Sequence, residues 1–217
     1  MALNLSGAAR ITIPEGDVKS ISIGGTTVWE RSLLPPGYLQ LEYVKYPASS
    51  SNILDTGKLP HAGTWELVLK MDSYNTGGNT TVFGSSNVSG RYLGVNQNGK
   101  WGGGSTTSGT YCSSSSATVK TKIEDLVFNS NGKAVSGDIG TQSFSRTGTS
   151  SATITNAKVP AQSIAYAVYV YSVKCGSVFN GIPAKETSTS KYGLYDLVSN
   201  SFIGFSDWTG ALAGVSW

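Results

Sequence analysis

From Ile11 onward the apolar residues of this chain fall two apart: Ile11 and Ile13, then Val18, Ile21 and Ile23, then Val28, with polar residues between them. A helix places neighbours three and four apart on one face, so a spacing of two is satisfied only by strands. Pro14-Glu15-Gly16-Asp17 supplies one reversal, and Gly24-Gly25 supplies residues tolerant of positive φ for a tight hairpin. The same texture continues to the C-terminus. It predicts strands at 38–44, 52–55, 64–71, 80–85, 91–97, 118–128, 151–155 and 163–174, and a last hairpin around 192–202. Gly102-Gly103-Gly104 and the serine run 113–116 read as loops. With no helix-period stretch, the fold class is all-β, a sandwich preceded by a small N-terminal β element.

A sandwich needs a core, and 217 residues with 39% apolar and 10% aromatic content can build one. A domain of this size buries roughly 70% of its unfolded surface and needs no staples. Charged residues are only 13%, so the surface is polar through hydroxyls and amides. The net charge of +3 comes from scattered Lys and Arg, whereas phosphate binding needs cations converging on one face, so no nucleic acid partner is expected. No span approaches the roughly 20 apolar residues of a membrane helix, and Met1-Ala2-Leu3-Asn4 lacks a signal-peptide start, so no membrane partner is expected. Cys112 and Cys175 leave two readings open, one bridge or two free thiols.

Leu33-Leu34-Pro35-Pro36-Gly37 is the predicted boundary, because two prolines fix an extended backbone and Gly37 ends it. It divides residues 1–32, whose three short strands are too few for an independent core, from residues 33–217. Within the second part, Trp65 leads Leu67 and Leu69 by twos and is expected in the core. Residues 165–173 are apolar at both parities and read as a central strand covered on both faces. Trp208 and Trp217 are expected to seal the sandwich or a subunit contact.

Four segments share a recognisable wording: Leu34-Pro35-Pro36-Gly37-Tyr38-Leu39-Gln40-Leu41-Glu42-Tyr43, Asp55-Thr56-Gly57, Ile182-Pro183-Ala184-Lys185, and the stretch from Gly193-Leu194-Tyr195-Asp196-Leu197-Val198 to Phe205. Together they resemble the concanavalin A-like (LamG-like) jelly-roll domains of phage tail and prophage proteins. Residues 11–30 are similar to an element that phage tail proteins carry ahead of a variable distal domain. The likeness covers residues 34–217 and is strongest at both ends. Residues 48–54 depart from the family wording, and 75–150 carry little of it. The resemblance implies jelly-roll topology and a virion protein assembled in the bacterial host cytoplasm and released by lysis. It further implies docking to other virion proteins through the N-terminal element, a homo-oligomer, and contact with a host cell-surface glycan. An N-terminal element that merely extends the main sheet is the competing reading of residues 11–30.

The chain offers little for catalysis. His61 is its single imidazole, so a His-based triad has one possible base, and zinc-type Cys/His spacing is absent. Calcium would need oxygen ligands such as Asp55, Asp72, Asp138 or Asp196, which read more simply as turn caps or solvated carboxylates. Glycoside hydrolysis on a sandwich needs two carboxylates on one face, yet Glu124 and Asp125 are consecutive and point to opposite faces in a strand. No enzyme activity, metal or cofactor is therefore expected.

Carbohydrate binding asks only for an aromatic platform beside amides and hydroxyls. Asn98-Gly99 is a two-residue turn signal that sets Gln97 opposite Lys100 and Asn96 opposite Trp101. That register places Tyr92, Asn96 and Trp101 on one face, with Leu93 and Val95 on the other. Tyr74 and Tyr111 are expected to border this platform. Trp101 as an ordinary core residue is the competing reading. The expected function is non-catalytic glycan recognition by a phage tail or fibre protein. A purely structural tail or capsid decoration protein and a polysaccharide depolymerase are the alternatives.

Overall fold

The computed structural model describes residues 20–23, 26–30, 33–85, 92–104, 111–118, 123–131, 134–139, 142–147 and 155–212; for 20–23, 26–30, 111–118, 131, 134, 142 and 146 the description is of the backbone. The expected strand at Ile11 and Ile13, the two turns before Thr26, most of the expected strand 151–155 and Trp217 lie outside these residues. The chain forms two compact units that divide between Leu33 and Leu34. In the first, β1 (Ser20–Ile23) and β2 (Thr26–Glu30) pair antiparallel with Ile23 opposite Thr26.

The second unit is an all-β, jelly-roll-like sandwich of two antiparallel sheets. The smaller sheet has the order β4 (Leu54–Asp55), β13 (Lys158–Val159), β6 (Thr80–Gly84), β7 (Tyr92–Val95), β8 (Lys100–Gly104) and β9 (Tyr111–Thr118). The larger runs β12 (Gln142–Thr147), β11 (Ala134–Ile139), β10 (Glu124–Asn131), β5 (Trp65–Met71), β14 (Val168–Cys175), β3 (Tyr38–Tyr46), β15 (Phe179–Glu186), β16 (Tyr192–Asp196) and β17 (Ser201–Phe205). A tenth strand, β18 (Thr209–Leu212), also pairs with β3.

One core lies between the sheets. Alternation in β5 turns Trp65, Leu67, Leu69 and Met71 inward and leaves Glu66, Val68 and Lys70 outward. Trp65 meets Phe83 of the facing sheet at 4.9 Å between ring centroids, and Phe83 meets Phe128 at 5.9 Å. Each such burial contributes about 1.5 to 3 kcal/mol. Two of the buried indole nitrogens find backbone acceptors, Trp65 Nε1 donating to the Pro60 carbonyl at 3.1 Å and Trp208 Nε1 to the Asn52 carbonyl at 2.9 Å, whereas Trp101 Nε1 has no hydrogen-bond partner among the described residues. Trp208 thus seals the sandwich where β18 begins.

Several local expectations give way to the sheet. Gly102-Gly103-Gly104 is strand, not loop, because the absent side chains leave room for rings: a Cβ on Gly103 would lie 3.0 Å from Phe144, and one on Gly104 2.4 Å from Tyr92. The serine run is strand as well, paired through Ser113 with Gly102; strand preference reflects fit to neighbours more than intrinsic tendency. The single strand expected over 118–128 is two strands, β9 and β10, in different sheets. A change of sheet leaves no mark on local alternation. β11, β12, β13, β15 and β18 fall outside the strands that the spacing predicts. β14 is central, between β5 and β3, but only its inward face is fully covered, since Tyr169 and Tyr171 are part-exposed. Cys175, which ends it, is a free buried thiol whose pKa is raised by loss of hydration.

Three of the four motif segments meet in space. Leu34 and Tyr38 pack with Ile182, Ala184, Tyr195, Leu197 and Phe202 in a second cluster on the outward face of β15–β17. Tyr38 lies 4.8 Å from Tyr195 and 5.2 Å from Phe202, ring to ring, and its hydroxyl donates to Glu186. Asp196 closes the terminal hairpin by accepting from the amides of Asn180, Val198 and Ser199 and from the Ser199 hydroxyl. The fourth segment is also a turn device. Asp55 accepts from the Gly57 amide, while the buried Thr56 hydroxyl donates to the Ala157 carbonyl.

Candidate functional site

The expected aromatic platform does not form, and one residue of register is the reason. Val95, not Asn96, stands opposite Trp101, and Asn96 bonds Lys100 across a three-residue loop, Gln97-Asn98-Gly99. A two-residue type I′ turn needs positive φ at both central positions, but only Gly99 has it, at +70°. The Asn96 side chain stabilises the longer loop, accepting from the amides of Asn98 at 2.9 Å and Lys100 at 3.0 Å. Because strand side chains alternate, a slip of one residue moves Trp101 to the other face. There it joins Leu93 and Val95 in the core, 1% exposed.

The other expected site residues scatter. Tyr92 does face away from Leu93, but it is 1% exposed with its ring against Gly104. The half-buried Tyr74 borders the hairpin as expected, its ring lying where a Cβ of Gly99 would sit. Tyr111 stands opposite Gly104 in the ladder, and its side chain lies outside the described residues.

A different aromatic cluster faces outward on the larger sheet. Its residues come from β3 and β14, where two irregularities in pairing lie side by side: one in the β18–β3 ladder at Glu42, the other in the β14–β5 ladder at Tyr171. Alternation turns Tyr43 and Lys45 of β3 and Tyr169 and Tyr171 of β14 outward, and the β14–β3 register, with Tyr169 opposite Lys45, brings the two pairs together; the irregularities add Glu42 and Ser172 to the same face. Tyr43 and Tyr171 therefore approach to 5.5 Å, ring to ring, and Tyr43 lies edge-on to Tyr169 at 5.1 Å. All three are part-exposed.

Charged groups frame the rings. Lys45 and Lys70, the neighbours of Tyr169 on β3 and β5, hold their ammonium groups 4.9 and 5.0 Å from its ring centroid. Lys45 also pairs with Asp72 at 3.9 Å, and the Tyr169 hydroxyl donates to the same carboxylate at 3.4 Å. A hydrogen bond to Tyr169 raises the Lys45 pKa against the lowering effect of burial, and the nearby tyrosines and Asp72 add to the rise. Burial, then the Glu42 charge, raises that of Tyr171. The patch thus combines two lysines, Asp72 and Glu42 with three phenol rings. The pattern was visible in Tyr43-x-Lys45 and Tyr169-x-Tyr171, but apolar residues at both parities of 165–173 masked which side was outward.

Other chemistry-bearing residues are dispersed. Glu124 faces inward, 8% exposed, while Asp125 is exposed on the opposite face. Asp55 and Asp196 are engaged in turns, Asp72 serves the tyrosine patch, and His61 is an exposed loop residue. Among the described residues no three His, Cys, Asp or Glu side chains converge as a metal-holding set. No protein-family model matches this sequence, and neither does any curated protein.

Proposed function

We propose that the outward face of the larger sheet recognises a cell-surface glycan without catalysis, through Tyr43, Tyr169 and Tyr171. The observation carrying this reading is the β14–β3 register, which gathers three part-exposed phenol rings beside lysine and carboxylate side chains. Ring faces accept the apolar face of a sugar, while charged and hydroxyl groups at their edge bond its hydroxyls. The motif resemblance supports the biological setting: a phage tail or fibre protein, joined to other virion proteins through residues 1–32 and present in several copies. Multiple weak sites on one particle then act together through avidity.

The test is binding to an array of purified bacterial surface polysaccharides. Tyr171→Ala and Tyr43→Ala should each weaken binding about 3- to 10-fold, the worth of one aromatic contact, with the circular dichroism spectrum unchanged. Absence of binding to every polysaccharide and to intact host cells would favour the purely structural reading. Release of reducing sugar would establish the depolymerase.

A further inference from the structure

The tyrosine patch occupies one end of a continuous outward surface. Register partners run straight across five strands in a single row: Lys174 on β14, Glu66 on β5, Val127 on β10, Asp138 on β11 and Ser143 on β12. A parallel row joins Ser172, Val68 and Asp125 beside Tyr171. At the far end Ser136 stands opposite Ser145 and Asp138 opposite Ser143. These four line an open cleft of about 260 Å³ over Gly137 and Phe144. Neighbouring strands are about 4.8 Å apart, so the two walls of the cleft lie roughly 14 and 19 Å across the sheet from β14, which carries Tyr169 and Tyr171.

The two ends differ in chemistry and share a face. The tyrosine end offers apolar rings, the cleft offers three hydroxyls and a carboxylate, and the rows between alternate Val68 and Val127 with charged groups. A terminal monosaccharide would use only one end. From this continuity, and resting on the glycan reading above, we infer that the ligand is an extended polysaccharide chain lying across the strands. One part of the chain stacks on Tyr43, Tyr169 and Tyr171, and a part further along hydrogen-bonds in the Ser136–Asp138–Ser143–Ser145 cleft. Joining the two contacts through one chain makes the second effectively intramolecular, so affinity rises in a step once the chain spans both.

The experiment uses the full chain and oligomers of two to eight sugars, made by partial hydrolysis of whichever polysaccharide the array returns, titrated calorimetrically. Oligomers long enough to span about 19 Å should bind at least about tenfold more tightly than the disaccharide. An Asp138→Ala/Ser143→Ala double variant should lose that gain and leave disaccharide affinity unchanged, its exposed substitutions sparing the fold. Equal affinity at every length, or a double variant that keeps the full gain, would overturn the inference while leaving the glycan reading intact. No binding at any length, or Tyr171→Ala without effect, would overturn both.

Discussion

Val95 faces Trp101 directly across the β7–β8 ladder, and both side chains lie in the core. Trp101 is therefore a stability residue. Trp101→Ala should cost about 3 to 5 kcal/mol, the usual range for removing a buried Trp. In a chain of this length that lowers the melting temperature by several degrees per kcal/mol. Denaturant unfolding measures it; a Trp101→Ala variant with wild-type stability would contradict the register.

The same hairpin depends on Gly99. A side chain there meets both an unfavourable φ of +70° and the Tyr74 ring, 2.5 Å from the position a Cβ would take. Gly99→Ala should destabilise by about 1 to 2 kcal/mol from backbone strain alone, and by more with the ring in place. Adding Tyr74→Ala should recover the steric part, so the two changes together cost less than their sum in a double-mutant cycle.

Asp196 gives the terminal hairpin a pH dependence. Burial pushes its pKa up, but hydrogen bonds from the Ser199 hydroxyl and the amides of Asn180, Val198 and Ser199 outweigh it, and the net value lies below the ordinary 3.8. A depressed carboxyl stabilises the fold fully above its unfolded pKa, and the contribution fades as pH falls through the folded value. Wild-type stability should thus decline below about pH 4 more steeply than that of Asp196→Ala, which is destabilised at neutral pH by about 1 to 3 kcal/mol. Denaturant curves between pH 2 and 7 provide the comparison; parallel profiles for the two proteins would refute it.

Cys175 should resist modification. It is buried, and loss of hydration disfavours its reactive thiolate. In a Cys112→Ser background, where Cys175 is the remaining cysteine, a thiol reagent should label the folded protein far more slowly than the protein in denaturant. Equal rates, followed by intact mass, would show the thiol to be accessible.

Alternation by twos determined the fold class, because residues such as Trp65, Leu67 and Leu69 carry the burial pattern in their own spacing. The turn chemistry of Asp196 and Ser199 was equally legible, since its bonds run between residues close in the chain. What the sequence could not decide was register and sheet membership. Asn98-Gly99 is compatible with loops of two or three residues, and the difference of one, resolved by the Asn96 side chain and a core that accepts Trp101, moved the expected platform inward. The glycine and serine runs became strands because neighbouring strands and overlying rings gave them partners. The register that brings Tyr43 to Tyr171 comes from pairing between β3 and β14, more than a hundred positions apart in the chain. Local spacing records which residues share a face of one strand; which strands lie side by side, and in what register, is fixed only by the packed sheets.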